Sequence, residues 1–509
     1  MPDALDDELT PAGFTVCAGE DDQALAVRIP EQRFSTVRNM DLAAPGRLTG
    51  RAGLTSQGDF SAEVTPIRAL GRLQLANNTR RIMAVAGQSA YSWDGTTKTT
   101  LYSALTSDLQ TVIFPITGAL NTLMILNGTD TPKDWDGTTF ISHAAGNTQP
   151  PAGHLGIFTS NGRILIAKDN VVYYSTTNPA AIAASFDQAA NQKKIPISKI
   201  MGMLEWTEGE VVIWGPKSCH VLNISDASPA NWTLKLLDPS VGCIAYRSHI
   251  LYAGAVWFMS TDGMRAISQG DTNSKRADLL PLSDPLKRDY FDLLTGALLD
   301  RIWTYAFNGV LMIGVPFNSN SYLTRILTYD NRLRQLDGAG RGGWSPWEVA
   351  AECAIDIDFA GTPALYYGSS SNSAKLNKYT GTSDNGTAIT FQAITKRFDF
   401  DAQNSDKTGD FVEVECLAAG TGSLLVEAAL DGGGFTTLGT VDLSAGTTLL
   451  PQTLPFPLTG GAVARGKFSL TDLGRFRDIQ FRLTMSTLNQ TVTINRLTAW
   501  AFIENLEFS

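Results

Sequence analysis

The chain of 509 residues is poor in charge and has no basic surplus. Charged residues make up 18% of it, and 40 Lys and Arg stand against 50 Asp and Glu, so the formal net charge is −10. Proteins that coat nucleic acid carry clustered positive charge, so this balance excludes a general DNA- or RNA-coating protein. No apolar run approaches the roughly 18 residues of a membrane-spanning helix. The acidic start MPDALDDELTP predicts no secretory signal peptide.

Cysteine and histidine are also scarce and poorly spaced for metal binding. The five cysteines lie far apart without a CxxC, and the four histidines form no HxH or HExxH pattern. Two interpretations remain open for Cys219, His220, Cys243 and His249. They could assemble into a zinc site in space, or the two cysteines could be small strand residues, which we favour. We therefore predict reduced thiols, no metal and no cofactor.

One phrase of the sequence occurs twice. Tyr91–Thr97 contains Trp-Asp-Gly-Thr-Thr, and Lys133–Thr139 contains it again, with Trp93 and Trp135 separated by 42 residues. A short apolar run that ends in a turn signal precedes each copy. Such self-similarity at a fixed period is typical of repeat architectures.

The same unit continues in weaker form along the chain. Its apolar runs start at residues 82, 123, 164, 211, 256, 310 and 364. Each unit has the pattern of strand, turn and strand, and a hairpin alone cannot bury its apolar face. A large sandwich or barrel also has short strands, but would not repeat one phrase every 42 residues. We therefore predict an all-β fold with a six- or seven-bladed β-propeller over residues 61–390.

The two ends differ from the middle. From residue 391 the repeat of apolar runs stops. Alternating strands such as Phe411–Cys416 and Ser423–Leu430 predict a β-sandwich over 391–509. Residues 1–60 are predicted to form an N-terminal arm that either completes the propeller or docks on the rest. Ser283 and Pro285 in turn predict a helix over 283–294, because serine caps helices and proline suits the first turn.

The sequence yields no catalytic, cofactor-binding or metal-binding residue. Ser260–Gly263 begins like a sialidase Asp box but places glycine one position early. Asp94 and Asp136 could act as a pair of catalytic carboxylates. Their equivalent places in consecutive repeats favour two-residue Asp-Gly hairpin turns instead. No GxSxG, P-loop or strand-linked GxGxxG occurs, so we predict that the chain is not an enzyme.

Several stretches, taken in order, resemble the tail hub, or nozzle (tail tube-stabilisation), proteins of short-tailed bacteriophages. The resemblance spans roughly residues 35–505, and it departs from the family at Ala52, where the family often has Arg-Pro-Gly. The matching stretches are Asn39–Gly53, Tyr329-Asp330, Gly343–Trp347, Leu365–Gly368, Asn377–Tyr379, Asp384–Ile389 and Lys396–Phe398.

The resemblance implies a structural virion protein, located in the tail and assembled in the bacterial host cytoplasm. It implies a homo-hexameric ring that extends the DNA-ejection channel below the connector. The expected partners are tail adaptor or connector proteins, tail fibres or spikes, and the host cell surface. Double-stranded DNA would pass through the lumen without specific binding, which suits the acidic balance of the chain.

Two other functions compete with this one. The first is a carbohydrate-binding or glycan-hydrolysing propeller, motivated by Trp93, Trp135 and Trp344 as exposed aromatic platforms. The second is a scaffold propeller of the cellular repeat type. The missing Gly-His and terminal Trp-Asp signature of each blade weighs against the scaffold.

Overall fold

The computed structural model is all-β, with short 3-10 helices at Pro229–Asn231, Asp284–Leu286, Gly296–Arg301, Asn331–Leu333 and Thr471–Leu473. Among the residues described, no helix is long and apolar enough to cross a membrane. The structure describes residues 9–14, 17–21, 29–30, 32–42, 47–60, 65–75, 77–106, 111–118, 120–268, 282–286, 290, 294, 296–318, 321–333, 343–359, 361–371, 374–417, 421–444 and 463–504.

Six strands lie in the first 60 residues. They are β1 (Leu9–Phe14), β2 (Gly19–Glu20), β3 (Arg33–Arg38), β4 (Met40–Asp41), β5 (Leu48–Gly50) and β6 (Leu54–Asp59).

Seven sheets then follow one another along the chain, and each is built from consecutive antiparallel strands. The first three sheets are β7 (Ile67–Gln74), β8 (Arg80–Ala86), β9 (Ser89–Trp93) and β10 (Lys98–Tyr102); β11 (Val112–Ile116), β12 (Thr122–Leu126), β13 (Lys133–Trp135) and β14 (Phe140–Ser142); and β15 (Leu155–Phe158), β16 (Ile164–Lys168), β17 (Val171–Tyr174) and β18 (Gln192–Lys194). The next two are β19 (Gly202–Thr207), β20 (Glu210–Trp214), β21 (Cys219–Asn223) and β22 (Thr233–Asp238); and β23 (His249–Tyr252), β24 (Ala255–Ser260) and β25 (Gly263–Ser268). The last two contain β26 (Trp303–Phe307), β27 (Val310–Val315), β28 (Arg325–Asp330) and β29 (Trp344–Trp347); and β30 (Ala351–Ile357), β31 (Ala364–Ser369) and β32 (Lys375–Tyr379).

These seven sheets are the blades of a β-propeller. The innermost strands β7, β11, β15, β19, β23, β26 and β30 contact one another in this order, and β30 contacts β7 to close the ring. The last blade takes its outermost strand from the N-terminal segment, because β6 pairs antiparallel with β32. The ring therefore closes with strands from both ends of the propeller sequence.

The remaining strands build two further layers. They are β33 (Phe391–Phe398), β34 (Lys407–Leu417), β35 (Ser423–Leu430), β36 (Thr436–Asp442), β37 (Val463–Ser469), β38 (Arg475–Phe476), β39 (Ile479–Met485) and β40 (Thr493–Ile503). One layer has the order β37-β34-β40-β5-β4, with β1 on β40 and β38 on β34. The other is continuous with the sixth blade, in the order β26-β27-β28-β29-β2-β3-β33-β39-β35-β36.

One buried apolar cluster joins these two layers. It holds Val412 and Leu497 of the first layer together with Phe34, Ala393 and Phe481 of the second. We call this part the two-sheet unit, formed by β33–β40 with β1–β5. The strands predicted beyond residue 391 are present, and N-terminal strands contribute to both layers. The boundaries predicted at residues 60 and 390 stay predictions.

Half of the range 283–294 predicted as a helix, residues 287–289 and 291–293, lies outside the described residues. Asp284–Leu286 forms a 3-10 turn, and the Ser283 hydroxyl accepts a hydrogen bond from Met264 N–H (2.9 Å) at the edge of β25. The prediction of two-residue Asp-Gly turns was wrong, since four residues separate Trp93 from its strand partner Lys98. The side chain of Asp94 stabilises this longer loop, as described below.

Candidate functional site

A buried polar network joins the N-terminal strands to the last blade. Arg51 lies between β5 and β6, and its side chain is 1% exposed. It holds Asp384 through two parallel bonds, Nη1 to Oδ1 (3.0 Å) and Nη2 to Oδ2 (2.6 Å). Such a bidentate pair fixes direction as well as distance. Arg51 therefore fastens the N-terminal segment to the stretch that leaves the propeller.

Asn39 lies at the centre of this junction. Its backbone has a φ of 55°, a left-handed conformation that asparagine tolerates better than most residues. Its Oδ1 accepts bonds from Arg51 Nε (3.0 Å) and Glu348 N–H (2.7 Å), and its Nδ2 donates to Thr390 O (2.9 Å). One side chain thus joins the N-terminal segment, the sixth blade and the start of the two-sheet unit.

The Trp-Ser-Pro-Trp strand, β29, binds the backbone of Met40, the residue that follows Asn39. The Ser345 hydroxyl (2.6 Å) and the Trp347 indole N–H (2.8 Å) both donate to Met40 O. Gly53 packs so closely that a Cβ there would lie 2.2 Å from Ser383 O, so the backbone approach requires glycine.

Ala52, where the sequence departs from the Arg-Pro-Gly of nozzle proteins, takes part in the junction. Its backbone N–H donates to Tyr379 Oη at 3.1 Å. Proline has no N–H and could not make this bond. Alanine at this position therefore gives a contact that an Arg-Pro-Gly sequence lacks. Residues of four separate stretches of the sequence that carry the resemblance thus meet in one hydrogen-bonded network.

A cavity of about 510 Å³ lies on the propeller axis and is lined by all seven innermost strands. Leu70, Phe114, Ile157, Leu204 and Trp303 make its wall largely apolar. We call the end where the innermost strands begin the proximal end, and the opposite end the distal end.

A buried carboxylate binds three arginines at the proximal end of the propeller. Glu352 on β30 is fully buried. It accepts bonds from Arg301 Nε (2.8 Å), Arg247 Nη2 (3.2 Å) and Arg68 Nη1 (3.3 Å), which belong to or precede three other blades. Such a cluster is stable only when every member is bonded. It links the first, fifth, sixth and seventh blades at their proximal ends.

His249 lines the cavity as a neutral ring. Its Nε2 lies 3.1 Å from Met203 O, so the N–H sits on Nε2. Burial lowers the pKa of His249 to about 4, although the bond to Met203 opposes the shift. Burial also lowers the pKa of His154 and His220.

Acid is therefore expected to destabilise the fold through His249. Because its folded pKa lies below its unfolded value of about 6.5, its contribution is complete above pH 6.5 and is lost as the pH falls towards 4. The loss amounts to about 3 kcal/mol. Urea denaturation at pH 7.5 and pH 5 should show a smaller difference for His249→Gln than for the wild type. Equal differences would contradict the assignment.

The two carboxylates considered for catalysis are loop residues. The Asp94 carboxylate accepts bonds from Thr97 N–H (2.7 Å) and Thr96 N–H (2.9 Å), and Asp136 repeats both contacts with Thr139 and Thr138. These bonds hold the pKa of Asp94 well below its usual range. Burial alone would raise the pKa of Asp136, but its backbone hydrogen bonds lower it on balance. Neither carboxyl suits a general acid near neutral pH.

The other candidate residues are core residues. Trp93, Trp135 and Trp344 were expected to be exposed but are 3%, 2% and 0% exposed, so they offer no platform to a sugar. Cys219 and Cys243 are buried thiols whose pKa values are raised by burial. Across the described residues, no group of three or more His, Cys, Asp and Glu could hold a metal. The glycine-rich stretch 337–342 of the sequence lies outside those residues.

Sequence reasoning missed the Glu352 cluster. Its four residues are 51 to 284 positions apart where their contacts are direct, and none belongs to a motif. The one available signal was a glutamate within the apolar stretch Ala350–Ile357, which is unusual for a strand in a core.

Comparisons with known proteins identify no family. No protein-family model matches the chain, and no curated protein matches it. Similar solved structures include YCF48 from Cyanidioschyzon merolae, with a TM-score of 0.40, 8% identity, and coverage of 65% of this chain and 99% of that one. The RRP9 WD40 repeats have a TM-score of 0.42 and 13% identity, with coverage of 65% of this chain and 99% of that one. An inactive virginiamycin B lyase from Staphylococcus aureus has a TM-score of 0.42 and 10% identity, with coverage of 64% of this chain and 98% of that one. Likenesses this weak carry no functional argument, and the fold assignment stands on the strand pairing above.

Proposed function

We propose that the chain is a structural virion protein that forms a ring, with six copies, at the end of a short phage tail. The ring extends the DNA-ejection channel and anchors fibres or spikes. The two-sheet unit is, in this proposal, the β-sandwich domain that accompanies the propeller. Adaptor or connector proteins hold the ring from above, and the host cell surface lies below it.

The junction at Arg51 is the observation that carries the proposal. It brings four of the seven stretches that resemble nozzle proteins into one network, although these four are spread from residue 39 to residue 389. The sheet that runs from the sixth blade through β2 and β3 into β36 adds a continuous backbone connection. A part that transmits load between a tail and its fibres benefits from such a rigid link.

The lumen of the proposed ring lies between subunits and not along a propeller axis. Trp303, Arg247 and their neighbours line the axial cavity, which is far too narrow for a duplex. Six copies carry a formal charge of −60, which disfavours adhesion of the DNA backbone. DNA therefore passes without specific binding.

Electron microscopy of the purified full-length chain tests this proposal. Closed rings with six-fold symmetry are expected, and mass spectrometry of purified particles should detect the chain as a virion component. Free single propellers at every protein concentration, together with particles that lack the chain, would overturn the proposal.

A further inference from the structure

Two adjoining hollows open at the distal end of the propeller, where the seventh, first and second blades meet. The larger has a volume of about 540 Å³ and the smaller about 380 Å³, and both are lined by Arg80 and Asp358. We call them together the distal cleft. The larger volume falls within the roughly 300–1,000 Å³ of small-molecule sites. The cleft is separate from the Arg51 junction and from the proximal Glu352 cluster.

The charges of the distal cleft are matched in pairs. Arg72 binds Asp356 (2.7 Å), and Arg80 binds Asp358 (2.9 Å). Arg81 binds Asp94 (2.8 Å) at the edge of the smaller hollow. Each guanidinium thus has a carboxylate beside it. A charged ligand of either sign would therefore be repelled by one member of every pair that attracts it. Matched pairs instead present fixed donors and acceptors to a neutral ligand rich in hydroxyl groups.

Two buried polar atoms in the cleft walls have no partner among the residues that the structure describes. They are Oδ1 of Asp358 and Oγ1 of Thr122. Thr122 is 4% exposed and begins β12, and it lines the larger hollow. Buried polar atoms are almost always hydrogen-bonded, so each of these two atoms is expected to take a partner from outside the chain, either a water molecule or a ligand group. Oδ1 of Asp358 can accept a hydroxyl proton, and the Thr122 hydroxyl can donate or accept one.

The remaining lining is pre-ordered and includes one aromatic ring. Asn121 Nδ2 donates to the backbone carbonyl of Gln74 (2.9 Å), and Gln74 Nε2 donates to Asn78 Oδ1 (3.3 Å), so the amide groups of Asn121 and Gln74 are each held by a hydrogen bond. Phe359 lines the smaller hollow and is held edge-on by Trp93 at a centroid distance of 5.0 Å. An apolar ring beside ordered amides matches the mixed apolar and hydroxylated faces of a sugar.

We propose that the distal cleft binds a neutral saccharide. Asp358 and Thr122 contact its hydroxyl groups, and Phe359 contacts an apolar face of the sugar ring. The site lies within a single chain, so this binding is independent of ring assembly. It adds recognition of a surface glycan to a chain proposed above as a structural part.

The test uses the full-length protein on a printed array of neutral and acidic saccharides, followed by titration of the best neutral binder. Thr122→Val keeps the side-chain shape and removes a hydroxyl that has no partner among the described residues, so folding should be unaffected. Its affinity should fall about tenfold, the effect of one lost hydrogen bond. Asp358→Asn should weaken binding by at least as much.

Asp262→Asn is the matched control, because Asp262 also pairs with an arginine, Arg265, but lies in the fifth blade. It should bind like the wild type. The proposal is overturned if no neutral saccharide binds, if only acidic saccharides bind, or if Thr122→Val with a wild-type melting temperature keeps full affinity.

Discussion

Replacement of Asp384 by alanine is expected to lower the free energy of unfolding by about 3–5 kcal/mol. The change leaves the guanidinium of Arg51, which is 1% exposed, without its carboxylate. Its remaining bonds to Asn39 Oδ1 and Ala52 O satisfy hydrogen-bonding groups but supply no opposite charge. Loss of one partner from a buried pair is costly because the other charge stays buried. Urea denaturation followed by tryptophan fluorescence measures the loss.

An exposed ion pair supplies the control for this experiment. Arg477 and Asp406 lie 3.5 Å apart with side chains 70% and 43% exposed, so Asp406→Ala should cost less than about 1 kcal/mol. The double variant Arg51→Met, Asp384→Leu should recover part of the loss, because it removes the buried charge as well as its partner. If Asp384→Ala and Asp406→Ala unfold at the same urea concentration, the junction does not hold the fold together as described.

Replacement of Glu352 by glutamine is expected to have a similarly large effect, about 3–5 kcal/mol or more. Glutamine keeps the shape of the side chain but leaves the guanidinium groups of Arg301 and Arg247 in a buried site without a carboxylate. The proximal end of the propeller is then expected to open first, because the cluster joins the first blade to the fifth, sixth and seventh blades. Hydrogen exchange should rise in β26 and β30 before it rises in β34 or β40.

Glu413→Gln is the control for the Glu352 variant. Glu413 Oε1 lies 4.0 Å from Arg465 Nε and 3.8 Å from Arg496 Nη2, on a partly exposed surface. Its loss should cost less than about 1 kcal/mol. Equal melting temperatures for the two glutamine variants would contradict the role given to the cluster.

The blades could be predicted because their middle strands carry a local signal. Both faces of β12 and β16 are buried between neighbouring blades, so each strand is a continuous apolar run in the sequence. All seven predicted hairpins are the second and third strands of a blade. Outermost strands such as β10 and β22 are largely exposed, and the sequence did not reveal them.

The closure of the fold could not be predicted from local pattern. The pairing of β6 with β32 joins residues more than 300 positions apart, and β2 contributes only two residues to the long sheet. Asn39 and Asp384 were noted as motif residues, but nothing in the sequence pairs either with Arg51. The Thr122 hydroxyl and Asp358 Oδ1 carry no motif at all, because an orphaned polar atom is a property of packing.

Native mass spectrometry of the purified chain tests the central claim most directly. The account predicts an assembly of six copies, about 329 kDa from six times the 54.8 kDa of one chain. The Asp384→Ala variant should lose this species together with its stability, whereas Asp406→Ala should keep it. A wild-type protein that remains at 54.8 kDa over the full accessible concentration range would contradict the account.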